Sequence, residues 1–163
     1  LGAEEACHQA SGDYFESGQL ALAREYAEKA CKKNHPKACY NLGQAFSDKD
    51  LAMTIKACEL KFGMACYKMG QTETTKKTEY YKKGCEFGQA ESCAEVSAVL
   101  FDLKQEQSAL FYTKMACKLG IIKSCHNSGL LEMKQGRKDE ARSFLDAACG
   151  MGLTQSCDLL KTL

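Results

Sequence analysis

An all-α repeat protein, a stack of helical hairpins, is the fold class this sequence predicts, and three observations predict it. Ten of the eleven cysteines in 163 residues fall into five pairs of one spacing, C-x7-C: Cys31/Cys39, Cys58/Cys66, Cys85/Cys93, Cys117/Cys125 and Cys149/Cys157. Chance does not produce that regularity, so the cysteines mark the phase of a repeated unit. Counted from second cysteine to second cysteine, beginning at Cys7, the units run 32, 27, 27, 32 and 32 residues, the period of helical hairpin repeats. Composition agrees: 45% of the residues are hydrophobic, 26% are charged, and Pro36 is the only proline.

The first helix of each hairpin begins near a second cysteine. Four residues later stand Gly43, Gly70 and Gly129, with Ser97 in one unit. A glycine inside a helix costs about 1 kcal/mol relative to alanine, so its recurrence predicts a neighbouring helix passing too close for a side chain. Late in this helix Glu73 and Glu132 occupy places where an aromatic or aliphatic residue is expected. Ser17-Gly18-Gln19 and Lys134-Gln135-Gly136-Arg137 read as the turns that follow, and the two short units lack about one helical turn here.

The second helix runs up to the first cysteine of a pair. Five residues before that cysteine come Tyr26, Met53, Tyr80, Tyr112 and Phe144, one residue before it Ala30, Ala57, Gly84, Ala116 and Ala148, and eight before it Ala23, Ala109 and Ala141. Spacings of three and four make an amphipathic stripe, which places the large rings in the core between hairpins. Three residues after the first cysteine comes Asn34, Gly88, Gly120 or Gly152, residues that tolerate the left-handed conformation ending a helix. Cys58 departs from this: Lys61 holds the capping position and Gly63 follows two residues later, so that turn is expected to be built differently. Pro36 falls where the next helix begins, a position that needs no amide donor. The units are therefore approximately 1–33, 34–60, 61–87, 88–119, 120–151 and a cap at 152–163, with eleven or so helices.

Net charge is +1, which leaves no basic surface of the kind that binds nucleic acid or an anionic membrane. No apolar run approaches the roughly 18 residues of a membrane span. Paired cysteines at this density belong to an oxidising compartment: periplasm, extracellular space or mitochondrial intermembrane space. Cys7 has the surroundings of a second cysteine, so its mate is expected just upstream of Leu1, after a leader that has been removed or is not included.

The unit Tyr26-Ala27-x-x-Ala30-Cys31, then seven residues, then Cys39-x-x-Leu42-Gly43 resembles the Sel1-like repeat. The C-x7-C version is similar to the cysteine-rich Sel1-like proteins secreted by Helicobacter and related bacteria, and the resemblance spans Cys7 to Leu163. It implies an all-α, α/α superhelix (solenoid) of Sel1-like hairpins, related to tetratricopeptide hairpins, with one disulfide per repeat. The bridges it implies are Cys31 to Cys39, Cys58 to Cys66, Cys85 to Cys93, Cys117 to Cys125 and Cys149 to Cys157, leaving Cys7 unpaired in this chain. It also implies use as a protein-binding scaffold in a periplasmic or secreted setting, and some members of the family are reported to bind or hydrolyse β-lactams.

Metal or redox chemistry is the competing reading of the cysteines, but zinc sites favour C-x2-4-C and redox pairs C-x-x-C, and neither spacing occurs. Neither a metal nor a cofactor is expected. A serine β-lactamase needs S-x-x-K with S-D-N and K-T-G. Ser47-Asp48-Lys49 and Lys161-Thr162-Leu163 each mimic one part, without a serine that has its lysine three residues on. His8, His35 and His126 show no metalloprotease spacing and read as surface residues.

By similarity to tetratricopeptide hairpins, the residue after each second cysteine faces a concave groove. That column holds His8, Tyr40, Tyr67, Ala94, His126 and Asp158, and the column four residues on holds Gly12, Gln44, Gln71, Ala98 and Leu130. His8, Tyr40, Gln44, Tyr67, Gln71 and His126 are thus the candidate partner-binding residues, rings beside amides. The alternative is that Tyr40 and Tyr67 only pad the neighbouring repeat. The functional expectation is a monomeric, non-enzymatic scaffold that binds another protein or a peptide, with no nucleic-acid partner. Two alternatives stand beside it: a periplasmic immunity protein that neutralises a secreted effector, and a penicillin-binding protein or weak β-lactamase.

Overall fold

The computed structural model describes residues 2–46 and 51–163; Ser47-Asp48-Lys49 lies outside the described residues. Among them there are eleven α-helices and no strand. They group into two compact units, Leu1–Phe87 and Gly88–Leu163. The first holds α1 (Ala3–Glu16), α2 (Leu20–Lys32), α3 (Pro36–Asn41, continuing as a π-helical turn through Leu42–Phe46), α4 (Leu51–Glu59), α5 (Gly63–Thr72) and α6 (Lys77–Glu86). The second holds α7 (Ala90–Asp102), α8 (Glu106–Lys118), α9 (Ile122–Lys134), α10 (Lys138–Gly150) and α11 (Thr154–Leu160). Within each unit successive helices pack as hairpins, in the repeat arrangement that the cysteine spacing predicts.

The turns from one hairpin to the next share one construction. In the first unit Asn34 and Lys61 take left-handed φ values of 63° and 65°. Their amides donate to Cys31 O and Cys58 O at 2.9 Å, and those of His35 and Phe62 reach back to Ala30 O and Ala57 O at 3.0 Å. Gly120 and Gly152 repeat the pattern in the second unit, with Gly120 N to Cys117 O and Gly152 N to Cys149 O both 2.9 Å. The expectation of a different turn after Cys58 is therefore corrected. The two reciprocal bonds of this helix stop fix the backbone, and Lys61 adopts the strained conformation rather than moving it.

That turn brings the last turn of one hairpin against the first turn of the next. The Cα atoms of Cys31 and Cys39 are 4.7 Å apart and bridged, as are Cys58 and Cys66 at 4.7 Å, Cys117 and Cys125 at 4.5 Å, and Cys149 and Cys157 at 4.8 Å. Cys85 and Cys93 are also disulfide-bonded, and Cys7 is a free, half-buried thiol.

Two of the expected columns of the second helices are buried, Ala30, Ala57, Gly84, Ala116 and Ala148 one before the first cysteine and Ala23, Ala109 and Ala141 eight before it, but the column of large rings lies one position off the third. Residues four before the first cysteine, Ala27, Thr54, Tyr81, Thr113 and Leu145, are all buried, whereas Tyr26, Tyr80, Tyr112 and Phe144, one position earlier, are only half-buried. The earlier column instead covers the bridges. Met53 lies against Cys31, and Phe144 packs on the Cys117–Cys125 disulfide. Core partners facing the buried column are matched in size. Gly70 abuts the Tyr81 ring, and a Cβ on Gly129 would sit 2.6 Å from Leu145 Cγ. Opposite the smaller Ala27, Ser11 fits and donates to Ala23 O at 2.8 Å. Opposite Thr113 stands Ser97, and the two hydroxyls meet each other and the Ala109 carbonyl. Ser97 stands in the glycine column where the facing residue is Thr113, small enough to leave room for a hydroxyl and able to bond it.

Glu132 is fully buried in α9, in the column that holds Leu100 in α7. Lys114 from α8 and Arg137 from the following turn both pair with its carboxylate. Burial pushes the Glu132 carboxyl up, but the hydrogen bonds from Arg137 and Lys114 outweigh this and hold it below the ordinary 4.5. A charge stands at this core position because two cations reach it.

Candidate partner-binding face

The column immediately after the second cysteines is half-buried apart from the exposed Asp158, and His8, Tyr40 and His126 lean on the next hairpin while Tyr67 leans on the second helix of its own. His8 stacks on His35 with centroids 4.3 Å apart, Tyr40 meets Phe62 edge-on at 5.3 Å, and Tyr67 lies 5.8 Å from Tyr81. In the second unit His126 Nδ1 is 2.8 Å from the buried Ser156 hydroxyl. Padding of the neighbouring repeat accounts for the contacts of His8, Tyr40 and His126, and packing within the hairpin for that of Tyr67.

The histidines are not simply surface residues. His35 is buried and caps α3: its Nδ1 accepts the Ala38 amide at 3.2 Å. That assigns the proton to Nε2, which faces Glu5 Oε2 at 3.0 Å. The hydrogen bond with His35 holds the Glu5 carboxyl below its ordinary value. Burial, together with the neighbouring His35, lowers the His8 pKa from 6.5. Sequence spacing gives no sign of this cluster, because the turn after Cys31 is what brings residues 5, 8 and 35 together.

The second column is exposed. Gly12, Gln44, Gln71, Ala98 and Leu130 all face solvent, and only Gln44 is tied back, its Nε2 donating to Thr54 Oγ1 at 3.2 Å. Asn41 adds a further exposed amide on the same side of α3. A cleft opens between α1 and α3, lined by Ser11, Gly12, Phe15, Glu16, Asn41 and Ala45. Sequence reading missed Phe15, Glu16 and Asn41, although Gly12, Phe15 and Glu16 stand at i, i+3 and i+4, the signature of one helix face.

Lys161, in the motif mimic at the end of the chain, pairs with Asp158 at 2.8 Å on the surface. Among the described residues no group of three or more His, Cys, Asp or Glu side chains is placed to hold a metal ion. None of the helices is long and apolar enough to cross a membrane.

A tetratricopeptide repeat model matches residues 122–151, which span α9 and α10. No curated protein matches the chain in sequence. Among solved structures, a Sel1 repeat protein from Oxalobacter formigenes superposes with a TM-score of 0.68 at 19% identity, covering 94% of this chain and 75% of that one. The protein c5321, described as a protective antigen of uropathogenic Escherichia coli strains displaying an SLR fold, gives 0.67 at 19% identity, covering 96% of this chain and 40% of that one. A Pseudomonas aeruginosa protein, PA5086, gives 0.51 at 19% identity over 86% of this chain and 65% of that one. These likenesses establish the fold: helical hairpins of the Sel1-like and tetratricopeptide-like kind, here with disulfides between them.

Proposed function

We propose that this chain, whose fold is that of the Sel1-like repeat proteins, is a non-enzymatic scaffold that binds a protein or peptide partner in an oxidising extracytoplasmic compartment. The observation that carries the reading is the exposed first-helix face of the unit Leu1–Phe87, where Asn41, Gln44 and Gln71 accompany the cleft between α1 and α3. Side-chain amides offer a donor and an acceptor each, and so can bond the backbone of an extended segment whatever its sequence. His8, Tyr40 and Tyr67 stiffen this face from beneath rather than forming it. The dense disulfides support the compartment, since such bridges persist only where thiols are not kept reduced.

The test is selection of a displayed random-peptide library on the oxidised chain. Selected peptides should bind the parent and lose affinity for the Gln44→Ala, Gln71→Ala double variant, while Arg24→Ala on the exposed side of α2 leaves binding unchanged. Peptides that ignore the first-helix variant, or no selection at all, would overturn the reading.

A further inference from the structure

The cleft between α1 and α3 has features that packing within the chain does not explain. Gly12 lies in the interior of α1, where glycine costs about 1 kcal/mol relative to alanine. Gly70 and Gly129 are accounted for, because Tyr81 and Leu145 occupy the space a side chain would need. Around Gly12 a Cβ would meet nothing within 4 Å. No neighbouring helix requires a glycine at 12, and the missing side chain leaves the floor of the cleft open.

Glu16 is the last residue of α1, where the negative end of the helix dipole disfavours a carboxylate, and no basic residue stands in that last turn. The helix carries Glu4, Glu5, Asp13 and Glu16 and neither lysine nor arginine. Glu5 is engaged by His35; Glu16 has no ion partner among the described residues. Beside it the Phe15 side chain is 49% exposed, and Asn41 presents its amide from α3. An open floor, an aromatic ring, an uncompensated carboxylate and an amide thus line one cleft.

We propose that this cleft takes an arginine side chain of the partner segment. The aliphatic stem lies over Gly12, the guanidinium stacks on Phe15 and pairs with Glu16, and the Asn41 carbonyl oxygen accepts one further N–H. A neutral side chain of the same length leaves Glu16 uncompensated, and an acidic one is repelled by it. The proposal deepens the scaffold reading and rests on it for the partner, but the cleft can be tested by itself.

The experiment is an amide-resolved NMR titration of the oxidised, 15N-labelled chain with N-acetyl-arginine amide and with its neutral isostere, N-acetyl-citrulline amide. The arginine compound should shift the backbone amides of residues 12, 16, 41 and 45 saturably. Citrulline should bind more weakly by about fivefold, the scale of an exposed ion pair. Glu16→Gln should reduce the arginine response to the citrulline level. Gly12→Leu, which fills open space and removes a helical glycine, should abolish both responses with a melting temperature equal to or above the parent's. Equal responses to arginine and citrulline, shifts confined to other residues, or binding that survives Gly12→Leu would overturn the proposal. Library peptides that bind the first-helix face yet tolerate replacement of every arginine would overturn it while leaving the scaffold standing. A normal arginine titration with no library selection would overturn the scaffold reading alone.

Discussion

Lys61 is held at φ 65° by bonds that its neighbours make, in a region where a side chain costs about 1–2 kcal/mol. Asn34 solves the same problem with a residue that tolerates it, and Gly120 with one that has no Cβ. Replacing Lys61 by glycine should therefore stabilise the protein, by about 0.5–1 kcal/mol once the extra freedom of the unfolded glycine is subtracted. The check is a chemical denaturation curve, and an unchanged or lowered midpoint would show that the turn is not strained. Sequence made the capping column legible at four of its five positions, because glycine and asparagine advertise left-handed backbone. It misled at the fifth, because a lysine in that column says nothing until its hydrogen bonds are seen.

At the scale of the helix pair, the contact between a first helix and its own second helix is a matched couple. Gly70 faces Tyr81 and Gly129 faces Leu145, whereas Ser11 bonds the Ala23 carbonyl and Ser97 the Thr113 hydroxyl. Tyr81→Ala should remove a buried ring and cost about 3–5 kcal/mol. Tyr80→Ala should cost less, because that ring is half-buried over the adjacent bridge. Gly129→Ala should destabilise too, its new methyl meeting Leu145, and the Gly129→Ala, Leu145→Ala pair should recover part of that loss. Thermal melts of the four variants check the set; equal losses at Tyr80 and Tyr81 would contradict the assignment. The column five before the first cysteine carries four rings and the buried one beside it only Tyr81, so ring content pointed inward at the wrong column, whereas the alanines one and eight before the cysteine were legible as core. The close approach was legible at Gly70 and Gly129, and the serine at 97 became intelligible only with Thr113 beside it.

For the whole chain, the response to acid follows from three groups. Glu5 and Glu132 have lowered folded pKa values, so their contributions are present above 4.5 and lost as pH falls through the folded values. His8 is also lowered, so the folded state resists protonating it, and stability falls as pH drops below 6.5. All three act in one direction: stability should decline as pH falls below 6.5, and decline further as it falls below 4.5. Glu132→Gln should flatten the lower part of that decline while reducing stability at pH 7, since Lys114 and Arg137 lose their anion. Denaturation midpoints measured at intervals of pH test this; stability that rises on acidification would refute it. The fold was legible in the cysteines, whereas the cleft and the histidine cluster depend on which turns bring distant positions together. Of the proposed partner face, Gln44 and Gln71 could be read from column position. Phe15, Glu16 and Asn41 could not, since no repeat regularity singles them out.

The bridges also bear on how the chain acquires its structure. In every bridge resolved at the hairpin turns the two sulfurs belong to residues eight apart in sequence. A loop that short closes in tens of nanoseconds, so each thiol meets its native mate at a far higher effective concentration than any cysteine of another repeat. Oxidation can then proceed vectorially, pair by pair, as the polypeptide emerges N-terminus first, and eleven cysteines need not generate scrambled isomers. Reduced, denatured protein returned to a glutathione buffer should regain its native bridges with a yield that added disulfide isomerase does not improve, as read by peptide mapping. A strong dependence on the isomerase would mean that long-range mispairing competes after all, and that locality alone does not guide these cysteines home.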